Sequence, residues 1–226
     1  MKRIQLKQIK KAFNQGQPNE FWAIRGVDIT INPHQATVLR GPSGSGKTTL
    51  LSMIGCLSRP TSGRIELGDR TFSGLPERFM TEIRRSTFGF IFQQFNLIKG
   101  LTVLENIMLP AYPLGLDHGE LKQSAMKLLK QFGLETKAPS KVEWLSGGEA
   151  QRAAICRAMI NDPEILIADE PTANLDTKLS REFMKIIQEL LNEGKTVLLT
   201  SHDPEVFNSP VINRVIDIRD GLVVEE

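Results

Sequence analysis

The sequence predicts an α/β fold organised around a mainly parallel sheet, and three observations carry that prediction. A glycine-rich stretch at 41–48 follows an apolar strand pattern and opens a helical one. Apolar runs at 165–168 and 197–200 flank an amphipathic helical pattern over 178–192, the strand–helix–strand order of parallel pairing. Between these regions, 101–161 reads as helical, an insertion into the sheet-forming chain.

Taken in order, strands are predicted at 3–9, at 27–31 with Val27, Ile29 and Ile31 on one face, and at 37–40. A helix over 47–57 follows, with Leu50, Leu51, Ile54 and Leu57 at helical spacing, and then strands at 64–67 and 88–92. Within the insertion, Leu121, Ala125, Leu128, Leu129 and Phe132 make one apolar stripe, and 151–160 make another. The helix over 178–192 holds Leu179, Phe183, Ile186, Ile187 and Leu190 in phase. A hairpin through Asp220-Gly221 joins 215–219 to 222–224. The sequence stops five residues after that turn, and no regulatory extension is expected.

Composition narrows the function classes. With 226 residues, 40% hydrophobic and 24% charged, the chain has the make-up of a soluble globular domain able to bury a core. A net charge of +2, from 28 basic and 26 acidic residues, gives no global field for nucleic acid or an anionic membrane. The basic cluster Lys2, Arg3, Lys7, Lys10 and Lys11 is interleaved with Ile4, Leu6 and Ile9, and reads as the solvent side of a strand. No secretory leader and no apolar run near the roughly 20 residues of a membrane span are seen. Cys56 and Cys156, far apart and each within an apolar helical pattern, read as buried reduced thiols of a cytosolic protein, and no cysteine metal site is expected. His34 and His118 lie in loop-like surroundings and receive no role.

The chemistry resides in three stretches. Gly41-Pro42-Ser43-Gly44-Ser45-Gly46-Lys47-Thr48 fills the complete phosphate-loop pattern, with glycines where the backbone must wrap a phosphate. Lys47 would reach the β- and γ-phosphates, the Thr48 hydroxyl would ligate Mg²⁺, and Thr49 continues the phosphate-facing first turn. The apolar run 165–168 delivers Asp169 and Glu170 at its carboxyl end, Asp169 suited to holding Mg²⁺ and Glu170 to orienting or deprotonating an attacking water. Leu145-Ser146-Gly147-Gly148-Glu149 is a second phosphate-sized nest ahead of a helix, and Ser146 with Glu149 is also a capping-box pattern.

That pentapeptide, continued by Ala150-Gln151-Arg152, resembles the signature of the ATP-binding cassette ATPases, and the resemblance covers essentially the whole chain. It implies a P-loop, RecA-like core in one cassette over 1–226. An antiparallel N-terminal β subdomain would lie with the core in 1–97 and 162–226, and a helical subdomain in 98–161. The remaining family markers fall in order. Phe13 matches the adenine-stacking aromatic, although tyrosine is commoner there and stacking needs only the ring. Gln93 matches the loop glutamine that bridges Mg²⁺ and the water. Gln94 is adjacent, and the pattern Ile91-Phe92-Gln93 favours the first. Ala173-Asn174-Leu175-Asp176 matches the D-loop, with Asp176 near the nucleotide, and His202 matches the switch histidine on the γ-phosphate.

By the same resemblance, Ser146, Gly147 and Gly148 would contact ATP bound to a second copy of the chain, a head-to-tail pair enclosing two ATP. His34-Gln35, where the family commonly has Gly-Glu, and Glu149, where glutamine is common, depart from the pattern without touching these roles. Phe90-Ile91-Phe92-Gln93, Leu101-Thr102-Val103-Leu104-Glu105-Asn106 and Leu109-Pro110 resemble the MacB, LolD and FtsE subgroup. This implies an ATPase subunit on the inner face of the cell membrane, attached through a separate permease, with no nucleic-acid partner. A soluble cassette ATPase acting on the ribosome or nucleic acid is the alternative. A phosphate-loop kinase would leave the signature and D-loop unexplained.

Overall fold

The computed structural model describes residues 3–173 and 175–225, so Lys2 and Asn174 lie outside the described residues. Among the described residues, ten strands form two sheets. Strands β1 (Ile4–Phe13), β2 (Phe21–Ile31), β4 (Ser62–Leu67) and β5 (Arg70–Thr71) make an antiparallel sheet in the order β2-β1-β4-β5. The larger sheet has the order β10-β9-β3-β8-β7-β6. It joins β3 (Ala36–Arg40), β6 (Phe88–Ile91), β7 (Ile165–Ala168), β8 (Thr196–Ser201) and β9 (Arg214–Arg219) in parallel, with β10 (Leu222–Glu225) antiparallel at the edge. The fold is the expected P-loop α/β core with an antiparallel N-terminal sheet.

Helix α1 (Lys47–Ile54) lies between the sheets, where Leu50, Leu51, Met53 and Ile54 join Ile4, Leu6, Ile9, Ile165, Ile167 and Leu198 in one buried cluster. The opposite face of the large sheet presents Val38, Leu166, Ala168, Val197 and Leu199 to a second cluster. The helices α3 (Val103–Met108), α4 (His118–Gln131), α5 (Gly147–Met159), α6 (Thr177–Asn192) and α7 (Pro204–Phe207) pack there. Strands buried on both faces explain why 165–168 and 196–201 carry unbroken burial rather than alternation.

Several boundaries differ from expectation for local reasons. β1 runs on to Phe13 because Gln8, at φ 50°, inserts a bulge that keeps both Leu6 and Ile9 facing inward. β2 begins six residues earlier than its alternation suggests, since Gly26 at φ 125° interrupts the pattern. α1 ends at Ile54, and Cys56, at φ 60°, lies in the following turn rather than in a helix. His118 opens α4 instead of lying in a loop. Helix α2 (Glu77–Thr87) has no counterpart in the sequence reading, because Met80 alone among its side chains is fully buried. Asp220 and Gly221, at φ 49° and 76°, give the left-handed pair that a two-residue hairpin requires.

Candidate active site

The carboxyl ends of β3, β7 and β8, neighbours in the parallel sheet, deliver three loops to one edge. The loop after β3 enters α1 through Gly46, at φ 103°, where a Cβ would stand 2.6 Å from Ile24 Cδ1 and 2.7 Å from Ala23 O. Only glycine fits that close approach. The Oγ of Ser45 is buried in this loop with no hydrogen-bond partner among the described residues. Lys47, 7% exposed, donates through Nζ to Gly41 O at 2.7 Å and Pro42 O at 3.0 Å.

Glu170 adopts φ 45°, a strained conformation for a non-glycine residue, directly after β7. Its backbone N–H donates to Thr200 Oγ1 at 2.8 Å, and that hydroxyl donates to Asp169 Oδ1 at 2.7 Å. Thr200 therefore fixes both acidic residues from the adjacent strand. The Glu170 carboxylate sits 3.5 Å from Lys47 Nζ through Oε1 and 2.9 Å from His202 Nδ1 through Oε2. Thr48 Oγ1 donates to Asp169 Oδ1 at 3.0 Å.

A cavity of about 490 Å³ is lined by Ser45, Gly46, Lys47, Thr48, Glu170 and His202 together with Ser43, Gly44, Thr49 and Gln93, and Asp169 reaches it through its hydrogen bond with Thr48. Phe13, Phe21 and Ala23 line another part of it. Phe13 and Phe21 pair across β1 and β2 and stack at 5.3 Å between centroids, with Lys11 Nζ 5.3 Å from the Phe13 ring. One end of the cavity thus suits a flat apolar ring, the other a polyanion. The Thr48 hydroxyl, the Asp169 carboxylate and the Gln93 amide form a hard-oxygen donor set, which fits Mg²⁺.

The signature segment lies elsewhere. Ser146 caps α5 in a full capping box: its Oγ accepts from Glu149 N at 3.3 Å, and the Glu149 carboxylate accepts from Ser146 N at 2.8 Å. The Ser146 N–H, with Lys137 at 3.1 Å, holds the Glu149 carboxyl below the usual range. Ser146 and Gly147 are exposed and outside the cavity, while Gly148 is buried against Leu179. Asp176 caps α6 by accepting from Leu179 N at 2.9 Å, also outside the cavity. The middle of the D-loop, Asn174, falls outside the described residues.

A family model described as "ABC transporter" matches residues 24–173. The chain belongs to the ABC transporter family. A second model, "AAA domain, putative AbiEii toxin, Type IV TA system", matches 143–208. The cassette is 39% identical over 223 residues to the macrolide export ATP-binding/permease protein MacB of Hyphomonas neptunium, covering 99% of this chain and 34% of that protein. The chain thus spans about a third of the length of such relatives. It is also 39% identical to the ABC transporter ATP-binding protein YvrO of Bacillus subtilis, over 99% of this chain and 96% of that one. Among solved structures, the dimeric bacterial cassette MJ0796 superposes with a TM-score of 0.89 at 39% identity, covering 98% and 97% of the two chains. The same cassette has also been solved as a post-hydrolysis dimer bound to ADP and Pi. The chain is an ABC-type ATPase cassette resembling the MacB group.

Phe21, Ala23 and Thr200 were not singled out from sequence. For the first two, the apolar stretch ahead of Arg25-Gly26 was the available signal. Thr200 ends the run 197–200 as its one hydroxyl, and its value emerges only once β8 lies beside β7.

Proposed function

We propose that the chain is the ATP-hydrolysing subunit of a membrane transport complex, working as a head-to-tail pair around two ATP and driving a separate permease. The work done would be export, lipoprotein release or mechanical signalling across the cell envelope, the types associated with the MacB, LolD and FtsE group. The observation that carries this reading is spatial: the phosphate loop, Glu170 and His202 share one cavity, whereas Ser146 and Gly147 are exposed outside it. A second copy could bring its own Ser146 and Gly147 to that cavity, and two-fold symmetry would complete both sites at once. A groove of about 300 Å³ lined by Phe88, Phe90, Phe92, Pro110 and Pro113 supports a permease contact beside the glutamine loop. By this reading the cassette sits on the cytoplasmic face of the membrane, held by that contact. Residues 98–161 would move against the bulk of 1–97 and 162–226, taking with them the loop that carries Gln93.

Phe13 and Phe21 would hold the base, and Lys47 with the loop N–H groups would hold the phosphates. Thr48, Asp169 and Gln93 would hold Mg²⁺, which would supply charge neutralisation for the phosphates when bound. Glu170 accepts the proton of the attacking water through its carboxylate. His202, hydrogen-bonded to that carboxylate, orients it, and Thr200 fixes its backbone.

Glu170→Gln keeps the shape and removes the base. Steady-state hydrolysis should fall at least roughly 10²-fold while ATP still binds, so that light scattering reports an ATP-dependent dimer. Wild-type turnover in that variant would remove Glu170 from the role, and a strictly monomeric ATP-bound form would remove the pairing.

A further inference from the structure

Helix α5 does more than present the signature turn. Two of its side chains reach out to hold loops of the candidate site. Gln151, 3% exposed, donates through Nε2 to Pro171 O at 3.0 Å, one residue beyond Glu170. Further along the helix, Arg157 donates through Nη1 to Asn96 O and through Nη2 to Phe95 O, each at 2.5 Å. Both acceptors belong to the loop that leaves β6 and carries Gln93.

That loop is in a demanding conformation. Phe95 and Asn96 have φ of 58° and 49°, two consecutive left-handed residues without a glycine. Such backbone persists where its surroundings over-determine it. Inside the loop, Phe95 N donates to Phe92 O at 2.8 Å and Asn96 N to Gln94 O at 2.6 Å. The turn leaves two successive carbonyls within reach of one guanidinium, and a planar fork suits that pair better than an ammonium does. Arg157 has no carboxylate partner among the described residues, so those carbonyls are what compensates its charge. Its burial lowers its pKa, which fits a cation committed to the protein rather than to water.

We propose that Arg157 is a positioning residue that locks the Gln93 loop to α5, so that the signature turn and the loop glutamine move as one body. This rests on the assignment of Gln93 and of the paired assembly made above. Its consequence is communication between the two ATP sites of a pair. Ser146 at the start of α5 faces the neighbour's ATP, while Gln93 faces the chain's own. A rigid helix with a fixed loop at its far end relays engagement at one site to the placement of Gln93 at the other.

The test is a double-mutant cycle in ATP turnover on the full chain, using Arg157→Lys, Gln93→Ala and the pair together. Arg157→Lys is expected to lower kcat roughly 10–100-fold while KM for ATP stays within about threefold, since the loop is misplaced but the phosphate loop is untouched. The double variant should be no slower than Gln93→Ala alone, because the arginine acts through the glutamine. Multiplying defects, or a KM that rises as much as kcat falls, would overturn the proposal. Wild-type turnover by Gln93→Ala would instead sink the role of Gln93, and the proposal with it. Hydrogen exchange on the wild-type chain needs no variant: 93–97 and 146–150 should gain protection together on adding ATP and Mg²⁺. Protection confined to one of the two segments would also overturn it.

Discussion

The phosphate-loop edge and the signature turn both offer backbone N–H groups at a helix start, yet they are built in opposite ways. The first concentrates departures from ordinary structure: a left-handed Gly46, a buried Ser45 Oγ without a partner among the described residues, Glu170 at φ 45° and Lys47 folded onto backbone carbonyls. The second is locally at ease. Ser146 and Glu149 satisfy each other in a capping box, Lys137 pairs with Glu149, and the exposed Gly147 touches nothing that a Cβ would meet. Strain and unmet hydrogen bonds mark the place where a chain does chemistry by itself. Gly148 has a packing reason to be glycine, since a Cβ there would stand 2.7 Å from Leu179 Cδ2, but the exposed Gly147 has none within the chain, and the paired assembly proposed above would supply one.

The sharpest way to break this comparison is complementation. Gly147→Glu should leave the fold intact, because its Cβ meets open space and an acidic residue in the first turn favours the helix dipole. It should nonetheless abolish turnover by placing a carboxylate against the neighbour's γ-phosphate. Lys47→Ala should abolish turnover from the other side, by removing the counter-charge and weakening nucleotide binding. Mixed in equal amounts, the two inactive chains should recover up to roughly a quarter of wild-type ATPase activity, since half of randomly formed pairs keep one intact composite site. No recovery would show that the signature serves its own chain, and the contrast would lose its meaning.

Legibility from sequence followed the same divide. The phosphate loop and Asp169-Glu170 were readable because their chemistry is local, and the structure places Phe13, Gln93 and His202 beside them in one cavity. Thr200 was not readable, since its hydroxyl matters only through the pairing of β7 with β8, residues some 30 positions apart. Phe21 was hidden by Gly26, which breaks the strand period, and α2 was hidden because a single buried Met80 gives no periodic stripe. The roles of Ser146 and Asp176 rest on family resemblance, because each is a conventional cap within its own chain.

Thr200→Val probes the strained side with a smaller effect. The isosteric change deletes the hydroxyl that accepts from Glu170 N and donates to Asp169 Oδ1. The unsatisfied N–H and the loosened carboxylate should cost about 1–3 kcal/mol in a denaturant titration. Turnover should fall roughly tenfold or more, with the Mg²⁺ requirement raised, because both acidic groups lose a shared anchor. Unchanged turnover and Mg²⁺ dependence would mean that β7 alone positions the pair.

The smallest effect belongs to the side at ease. Glu149→Ala removes the reciprocal half of the capping box and the Lys137 contact, and should cost about 0.5–1 kcal/mol at neutral pH. Because the folded carboxyl titrates below its ordinary value of 4.5, its contribution is present above that value and is lost as pH falls through the lowered one. The stability gap between wild type and Glu149→Ala should therefore be constant from neutral pH down to about 5 and narrow in more acid solution. A gap independent of pH throughout would assign the loss to packing instead of charge. The signature turn would then be stabilised independently of the carboxylate that replaces the family's usual glutamine.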